Sequence, residues 1–337
     1  MLKELLSKVS LKEDLSYEEA KSAVEEIMSG EASPVLISAF LTALAMKGET
    51  EDEIAGCADG MRSKGLPLEY PGDKLEIVGT GGDRSNSFNI STTSAFVIAA
   101  AGVKVTKHGN RAASSKSGAA DCFEALGVNI NAEPEKMIKS LDEYNIAFMF
   151  AQKYHSAMRF VGPVRGEIGI RTVFNILGPL TNPANANMAV LGVFSEEYVE
   201  KIAKTLIKLG VTDALVVYGM DVLDEISASS ETKCAELRNG NIEYYTIKPE
   251  DFGFERVKKE ELLGGTGEEN AAITKNVLNN TSTYAQKVAV ALNAGAGIYV
   301  ANKGALTLQE SVKQALDIIE NKQALPILEG FVKVTNE

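Results

Sequence analysis

Apolar residues in the first 65 positions recur at helical spacing, and short polar signals mark where each run begins. Ser16-Tyr-Glu-Glu19 and Thr50-Glu-Asp-Glu53 each place a hydroxyl three residues before a glutamate, the form of a capping box, and each opens an amphipathic run. Ser33-Pro34 puts an N-cap before a first-turn proline and leads into VLISAFLTALAMKG. With Val35, Leu36, Ile37, Phe40, Leu41, Leu44 and Met46, that helix is apolar on most sides. Such a pattern predicts burial, in a bundle core or against a second subunit.

The periodicity then changes. Residues 66–73 carry two prolines and a glycine and read as a linker. A short apolar strand over 75–78 runs into Gly79-Thr80-Gly81-Gly82-Asp83, and Asn89-Ile90-Ser91-Thr92 opens a helix over 93–101 with Ser91 as its candidate cap. A second strand over 103–107 feeds the polar loop from His108 to Lys116, and Gly127 ends the helix over 119–126 that follows. Strand, polar loop and helix thus occur twice in succession, which is α/β alternation with ligand groups at the strand ends. Further strands are expected over 146–150, 188–194 and 214–218. Helices are expected over 135–144, 157–168, 173–177 and 196–209. Runs at 234–237 and 242–247 flank Arg238-Asn-Gly-Asn241, a hairpin signal, and the chain is helical from about Gly267 onward.

Composition narrows the function classes. The chain has 337 residues, 46 acids against 34 Lys and Arg, and a net charge of −12, which argues against a nucleic-acid or membrane-surface binder. The longest apolar run is far too short to span a bilayer, and no signal peptide is evident. Cys57, Cys122 and Cys234 match neither a disulfide framework nor a zinc motif, so a reducing, cytoplasmic setting is expected.

Against this acidic background two zones stand out. From Arg84 to Ala120 there is no Asp or Glu, while Arg84, Lys104, Lys107, Arg111 and Lys116 fall in or beside it. From Tyr144 to Ser195 the only acid is Glu167, against Lys153, Arg159, Arg165 and Arg171. The chain's two histidines, His108 and His155, lie one in each zone. Glycines after a strand let backbone N–H groups converge on an anion, and a helix N-terminus offers a second anion surface. Past the strand at 214–218, Asp224 and Glu225 suit a hard cation such as Mg²⁺, though two adjacent acids taken alone read better as a solvated loop. Together these describe a site for a phosphorylated ligand. The absence of Gx₄GK[ST] argues against a P-loop nucleotidase.

GTGGD at 79–83, NISTTSA at 89–95, KHGNRAASSKSGAAD at 107–121, HSAMRFVGPVRGEIGIRTVFNILGPLTNP at 155–183 and LDE at 223–225 resemble the anthranilate phosphoribosyltransferases. The resemblance runs through almost the whole chain. It implies a small helical domain plus a larger α/β domain with a central mixed sheet, of the nucleoside phosphorylase and phosphoribosyltransferase type. The helical domain would comprise residues 1–70, completed by helices within about 152–187. Residues 71–151 and 188–337 would form the α/β domain. The activity implied is transfer of phosphoribose from phosphoribosyl pyrophosphate (PRPP) to the amine of anthranilate in tryptophan biosynthesis, by a homodimer joined through its helical domains.

Carried over by position, Gly79, Gly82, Asp83, Ser87, Asn89, Ile90, Ser91, Thr92, Lys107, Ser115 and Ala119 look like PRPP contacts. Asn110 and Arg165, with Gly79, look like anthranilate contacts, and His108 and His155 lie near the access path. Ser91, Asp224 and Glu225 look like magnesium ligands, and no residue is singled out as a catalytic base. The chain departs from the family pattern at Ser87, Ala119, Ser156, Val222 and Ser230-Glu231, where threonine, serine, proline, glycine and glycine-proline are usual. The alternatives are a pyrimidine nucleoside phosphorylase-like enzyme and a non-catalytic nucleic-acid-binding relative.

Overall fold

The computed structural model describes residues 1–112 and 115–337; Ala113 and Ser114, inside the polar loop expected after the second strand, lie outside the described residues. The chain opens with α1 (Leu2–Ser10), α2 (Tyr17–Ser29), α3 (Pro34–Lys47) and α4 (Glu51–Arg62). Both capping boxes form. Ser16 and Thr50 accept from the backbone N–H of Glu19 and Glu53, whose carboxylates accept in return. Each cap contributes about 1 kcal/mol. The bundle-core alternative for α3 holds for part of the helix. Ile37, Phe40, Leu41 and Leu44 are buried, but Val35 and Met46 are each 80% exposed. They lie three turns apart on one face, so α3 packs one side inward and presents an apolar stripe outward.

The α/β part follows: β1 (Leu75–Gly79), α5 (Ile90–Ala100), β2 (Val105–Gly109), α6 (Ala119–Ala125), α7 (Pro134–Tyr144) and β3 (Ile146–Phe150). A helical stretch comes next, with α8 (Ala151–Tyr154), a 3₁₀ turn at Ser156–Phe160, α9 (Gly162–Ile168) and α10 (Phe174–Leu177). Then come β4 (Met188–Gly192), α11 (Glu197–Lys208), β5 (Asp213–Gly219), β6 (Thr232–Arg238) and β7 (Asn241–Ile247). The chain closes with α12 (Gly267–Leu278), α13 (Tyr284–Ala301), α14 (Leu308–Glu320) and α15 (Leu325–Asn336).

Among the described residues seven strands form one sheet, in the order β3-β2-β1-β4-β5-β6-β7. β3 through β5 are parallel, and the β6–β7 hairpin adds two antiparallel strands. The chain winds outward from β1 to β3, then crosses back to β4, so strand order reverses between β1 and β4. Loops leaving these two strand ends diverge and leave a crevice, where open α/β sheets bind ligands. Apolar cores cover both faces. Phe96, Phe123, Phe148 and Phe331 belong to one, with α12–α15 over it. Helices α1–α4 and α11 share the other with the facing residues Leu191 and Val216. Burial on both sides explains why β3 and β4 read as continuous apolar runs.

Several boundaries differ from expectation: the helix expected over 157–168 breaks at Val161 into the 3₁₀ turn and α9, the strand expected over 188–194 ends at Gly192, and β2 and α5 begin at other residues. β2 begins at Val105 rather than 103, because Val103 and Lys104 form the turn out of α5, with Lys104 O accepting from Leu75 N–H. α5 begins at Ile90 rather than 93, so Ser91 sits in its first turn and is not its cap. Asn89 occupies the cap position without a side-chain capping bond, and the Ser91 N–H is instead taken by distant Glu225.

β1 and β2 share one register pair, Leu75 with Val105, whereas β1 and β4 share five. Beyond that pair the strands part, and side chains satisfy the freed backbone groups. Lys107 Nζ donates to Ile77 O at 2.5 Å, the Glu76 carboxylate accepts from His108 N–H at 2.9 Å, and Asn182 Nδ2 donates to Thr106 O at 2.6 Å. Asn182 also donates to Glu76. Burial pushes the Glu76 carboxyl up to about 8, against the pull of the Lys107 ammonium.

Candidate active site

The crevice at the strand ends is a cavity of about 760 Å³ between the sheet and the α8–α10 segment. Every candidate site residue lines it. From β1 and its loop come Gly79, Gly82, Asp83, Ser87 and Asn89, and from the start of α5 come Ile90, Ser91 and Thr92. β2 and its loop supply Lys107, His108, Asn110, Ser115 and Ala119. His155 and Arg165 close it from the helical side, and Asp224 and Glu225 reach in from the loop after β5. The Thr92 hydroxyl is buried there without a hydrogen-bond partner among the described residues.

Asp224 and Glu225 are not a solvated loop pair. Each is only 8% exposed. Asp224 Oδ2 accepts from Gly81 N–H at 2.6 Å, its own N–H donates to Asp83 Oδ2 at 3.3 Å, and Glu225 Oε1 accepts from Ser91 N–H at 3.2 Å. This knits the glycine loop, the α5 N-terminus and the loop after β5 together. Burial pushes Asp224 well above the usual carboxylate range, with the negative charges of Asp83 and Glu225 adding to it. Burial likewise carries Glu225 up to about 7, opposed by Lys107. Among the described residues no three His, Cys, Asp or Glu side chains converge on one point. A hard cation held here would therefore rest on these two carboxylates plus a neutral oxygen, and Ser91 Oγ, 3.1 Å from Lys107 Nζ, is beside them. Two buried acids short of counter-charge fit such an ion by charge and by ligand type.

The cationic zones resolve unevenly. Lys107 is 1% exposed and spends its ammonium on Ile77 O and Ser91 Oγ, so it is a strut beside the cavity as well as a wall of it. Arg111 is paired with Asp121 and Glu124. Lys104 caps Leu141 O, and Lys153 binds the carbonyls of Asn131 and Ala132; neither lines the cavity. Lys104 lies at the start of β2, the end of the sheet remote from the site. Arg165 differs from these. Among the described residues it has no carboxylate partner, its guanidinium lies 5.6 Å from the Phe174 ring centre, and burial alone lowers its basicity. An unpaired, partly desolvated guanidinium in a cavity wall is a carboxylate or phosphate receptor.

His108 and His155 pack edge to face, ring centres 5.0 Å apart. His108 Nδ1 lies 3.2 Å from Gly178 O and His155 Nε2 lies 2.9 Å from Thr181 O, so each donates to a carbonyl. Burial, then the neighbouring His155, pushes His108 down to about 3; burial lowers His155 too. Both rings are therefore neutral at physiological pH.

Three contributors escaped the reading of the sequence. Gly192 closes β4 opposite Gly79, and a Cβ on either would overlap Asp224. Arg171 Nη2 donates to Gly82 O at 2.5 Å while its guanidinium stacks 4.0 Å from the Phe194 ring centre, pinning the glycine loop. Arg171 was visible only as one cation among four, and Gly192 only as the end of a strand. Glu76 carried no signal beyond being an acid inside an apolar strand.

Sequence comparison agrees with this geometry. The family described as "Glycosyl transferase family, a/b domain" matches residues 71–325, and "Glycosyl transferase family, helical bundle domain" matches residues 3–65. The anthranilate phosphoribosyltransferase of Lachnoclostridium phytofermentans is 54% identical, with 100% of this chain and 99% of that protein aligned. That of Methanobrevibacter smithii is also 54% identical, over 100% of both chains. Among solved structures, the anthranilate phosphoribosyltransferase of Thermus thermophilus superimposes with a TM-score of 0.93 at 44% identity, covering 98% of this chain and 99% of that one. The Saccharomyces cerevisiae enzyme in complex with PRPP and Mg gives 0.87 at 28% identity, covering 96% and 94%. With the fold and nearly the whole length shared, the chain belongs to the anthranilate phosphoribosyltransferase family.

Proposed function

We propose that this protein transfers the phosphoribosyl group of PRPP to the amine of anthranilate, giving N-(5-phosphoribosyl)anthranilate and pyrophosphate, as a step of tryptophan biosynthesis. The observation that carries this reading is the pairing, in one cavity, of the Arg165 guanidinium, which has no carboxylate partner among the described residues, with the buried Asp224–Glu225 pair. The first suits the carboxylate of an aromatic acid. The second suits the cation that accompanies a pyrophosphate.

In this reading the glycine loop from Gly79 to Asp83, the α5 N-terminus from Asn89 to Thr92, Ser115 and the Lys107 strut hold PRPP. Asn110 and Arg165 orient anthranilate so that its amine faces C1 of the ribose. Ser91, Asp224 and Glu225 would hold Mg²⁺, which when bound supplies positive charge to neutralise the departing pyrophosphate. An aromatic amine is neutral at pH 7, so attack needs no strong base, and orientation supplies much of the rate. His108 and His155, both neutral, shape the wall with their carbonyl contacts fixed.

The same reading takes residues 1–70 and about 152–187 as one domain, and 71–151 with 188–337 as the other. Packing of α9 against α3 and of the 3₁₀ turn against α2 supports it. The exposed Val35 and Met46 stripe supports a homodimer through the helical domain, and the three free, buried cysteines suit a cytoplasmic setting. Among the described residues no helix is long and apolar enough to cross a membrane.

The test is the loss of anthranilate fluorescence on adding PRPP and Mg²⁺ to the purified protein, with EDTA as control. Magnesium-dependent loss is the expected result. No loss from folded protein, with phosphorolysis of a pyrimidine nucleoside instead, would replace this reading.

A further inference from the structure

Asn270 stands on α12, outside the residues assigned to either substrate, and is 1% exposed. It contacts the site at one point. Its Nδ2 donates to Asn89 Oδ1 at 2.7 Å, and its Oδ1 accepts from Gly265 N–H at 2.8 Å. A backbone N–H can only donate, so the Asn270 atom facing Gly265 must be the oxygen. The amide nitrogen of Asn270 must then face Asn89, and the Asn89 atom receiving it must be the carbonyl oxygen. Ser117 Oγ donates to that same oxygen at 3.0 Å. Asn89 therefore has one orientation available. Its Oδ1 is saturated by two donors from behind, and its Nδ2, with no hydrogen-bond partner among the described residues, is the group left for the cavity.

The neighbourhood reinforces this. One turn along α12, Thr274 Oγ1 lies 2.7 Å from Thr93 Oγ1, and Thr93 in turn donates to Asn89 O at 3.0 Å. Asn270 and Thr274 share one helix face and meet the beginning of α5 with both polar groups. The segment leading into α12 also pairs with the glycine-loop side, through Ser87 with Leu263 and through Phe88 N–H to Leu262 O.

We propose that Asn270 is a positioning residue for PRPP: by fixing the amide of Asn89, it ensures that this site presents a donor, and not an acceptor, to a phosphate oxygen. The proposal rests on the functional reading given above. Reversal of the Asn89 amide would turn a carbonyl oxygen toward an anion, and the network permits that reversal as soon as position 270 offers only acceptors. In N270D the carboxylate can accept from both Gly265 N–H and Asn89 Nδ2, while Ser117 Oγ accepts from Asn89 and donates to Gly118 O, which already lies 3.3 Å away.

The experiment is steady-state kinetics at pH 8 on wild type, N270D, N270A, N89A and the N89A/N270D double variant, with thermal midpoints recorded. N270D should raise the PRPP KM by at least about tenfold and leave the anthranilate KM within about twofold, the scale of a hydrogen bond to a charged group. N270A, which frees Asn89 without reversing it, should raise the PRPP KM by a smaller factor, and reads the same question if N270D does not fold. In the N89A background the N270D change should lose most of its effect. An unchanged PRPP KM in N270A and N270D, or an equal factor with and without Asn89, overturns the proposal while leaving the enzyme's function intact. A wild type that does not consume PRPP and anthranilate overturns both.

Discussion

Gly79 and Gly192 face each other across the register of β1 and β4, and together they clear the space that Asp224 occupies. A Cβ at Gly79 would overlap the Asp224 carboxylate, and one at Gly192 its backbone carbonyl. Gly192 does not line the cavity, so its substitution isolates the seat from the contacts. G192A should lower turnover at least about tenfold through displacement of Asp224, and cost roughly 1–3 kcal/mol of stability from overpacking. Full activity in a folded G192A protein would show that Asp224 need not sit there.

Asp224 and Glu225 are buried like charges, and neutralising them separates stability from function. D224N/E225Q should melt no lower than wild type, since a desolvated repulsion is removed. Its turnover at saturating Mg²⁺ should fall by about 100-fold or more, because the cation's support of the leaving group is lost. Unchanged turnover would remove both residues from the metal site.

Arg165 should control one substrate only. R165Q is expected to raise the anthranilate KM by roughly ten- to a hundredfold, the scale of a lost charged hydrogen-bond pair, with little change in the PRPP KM. R165K should recover only part of the loss, because an ammonium cannot make the two-pronged contact. Parallel loss for both substrates would instead indicate a collapsed cavity wall.

The buried neutral His108 ring links stability to pH. Its folded value, about 3, lies below that of an unfolded histidine, so the unfolded chain binds the extra proton between the two. Its contribution to stability is complete above about pH 6.5 and is lost as pH falls, by at most about 1.4 kcal/mol per pH unit. H108Q should flatten the decline in unfolding free energy between pH 7 and pH 5, measured by denaturant titration. The facing groups, Lys107 and His155, remain in both proteins, so an identical slope would show that the ring is not held neutral.

Val222, at the position before Leu223-Asp224-Glu225, has φ +63°, in the left-handed region that a β-branched side chain rarely adopts. Glycine there would relieve about 1–2 kcal/mol of backbone strain and lose about 0.4–1 kcal/mol through a freer unfolded chain. V222G should therefore be neutral to slightly stabilising, with the thermal midpoint unchanged or raised. A fall equivalent to about 1 kcal/mol or more would mean that the loop does not carry this strain.

How far the sequence revealed this site depended on how local each feature was. The capping boxes at Ser16 and Thr50 were legible because both partners lie within four residues. The loop from Gly79 to Asp83 was legible because it follows its strand directly. The burial of Asp224 was not, since it depends on Gly79 and Gly192 from two other strands. Arg111 and Arg165 look alike in sequence. They part company in the fold because Asp121 and Glu124, one helix onward, neutralise the first, while among the described residues no acid pairs with the second. The apolar all-round character of α3 signalled a buried core for Phe40, but it could not tell Phe40 from Val35, which the single chain leaves exposed.

The parting of β1 from β2 makes the sheet a wedge whose opening is set by side-chain length. Elsewhere in the parallel region the backbone ladder fixes strand spacing, but here Glu76, Lys107 and Asn182 act as spacers. The spacing of β1 and β2 is thus adjustable through Glu76 and Asn182, neither of which lines the cavity. Shortening a spacer, as in E76D, would retune the width of the cleft from inside the sheet.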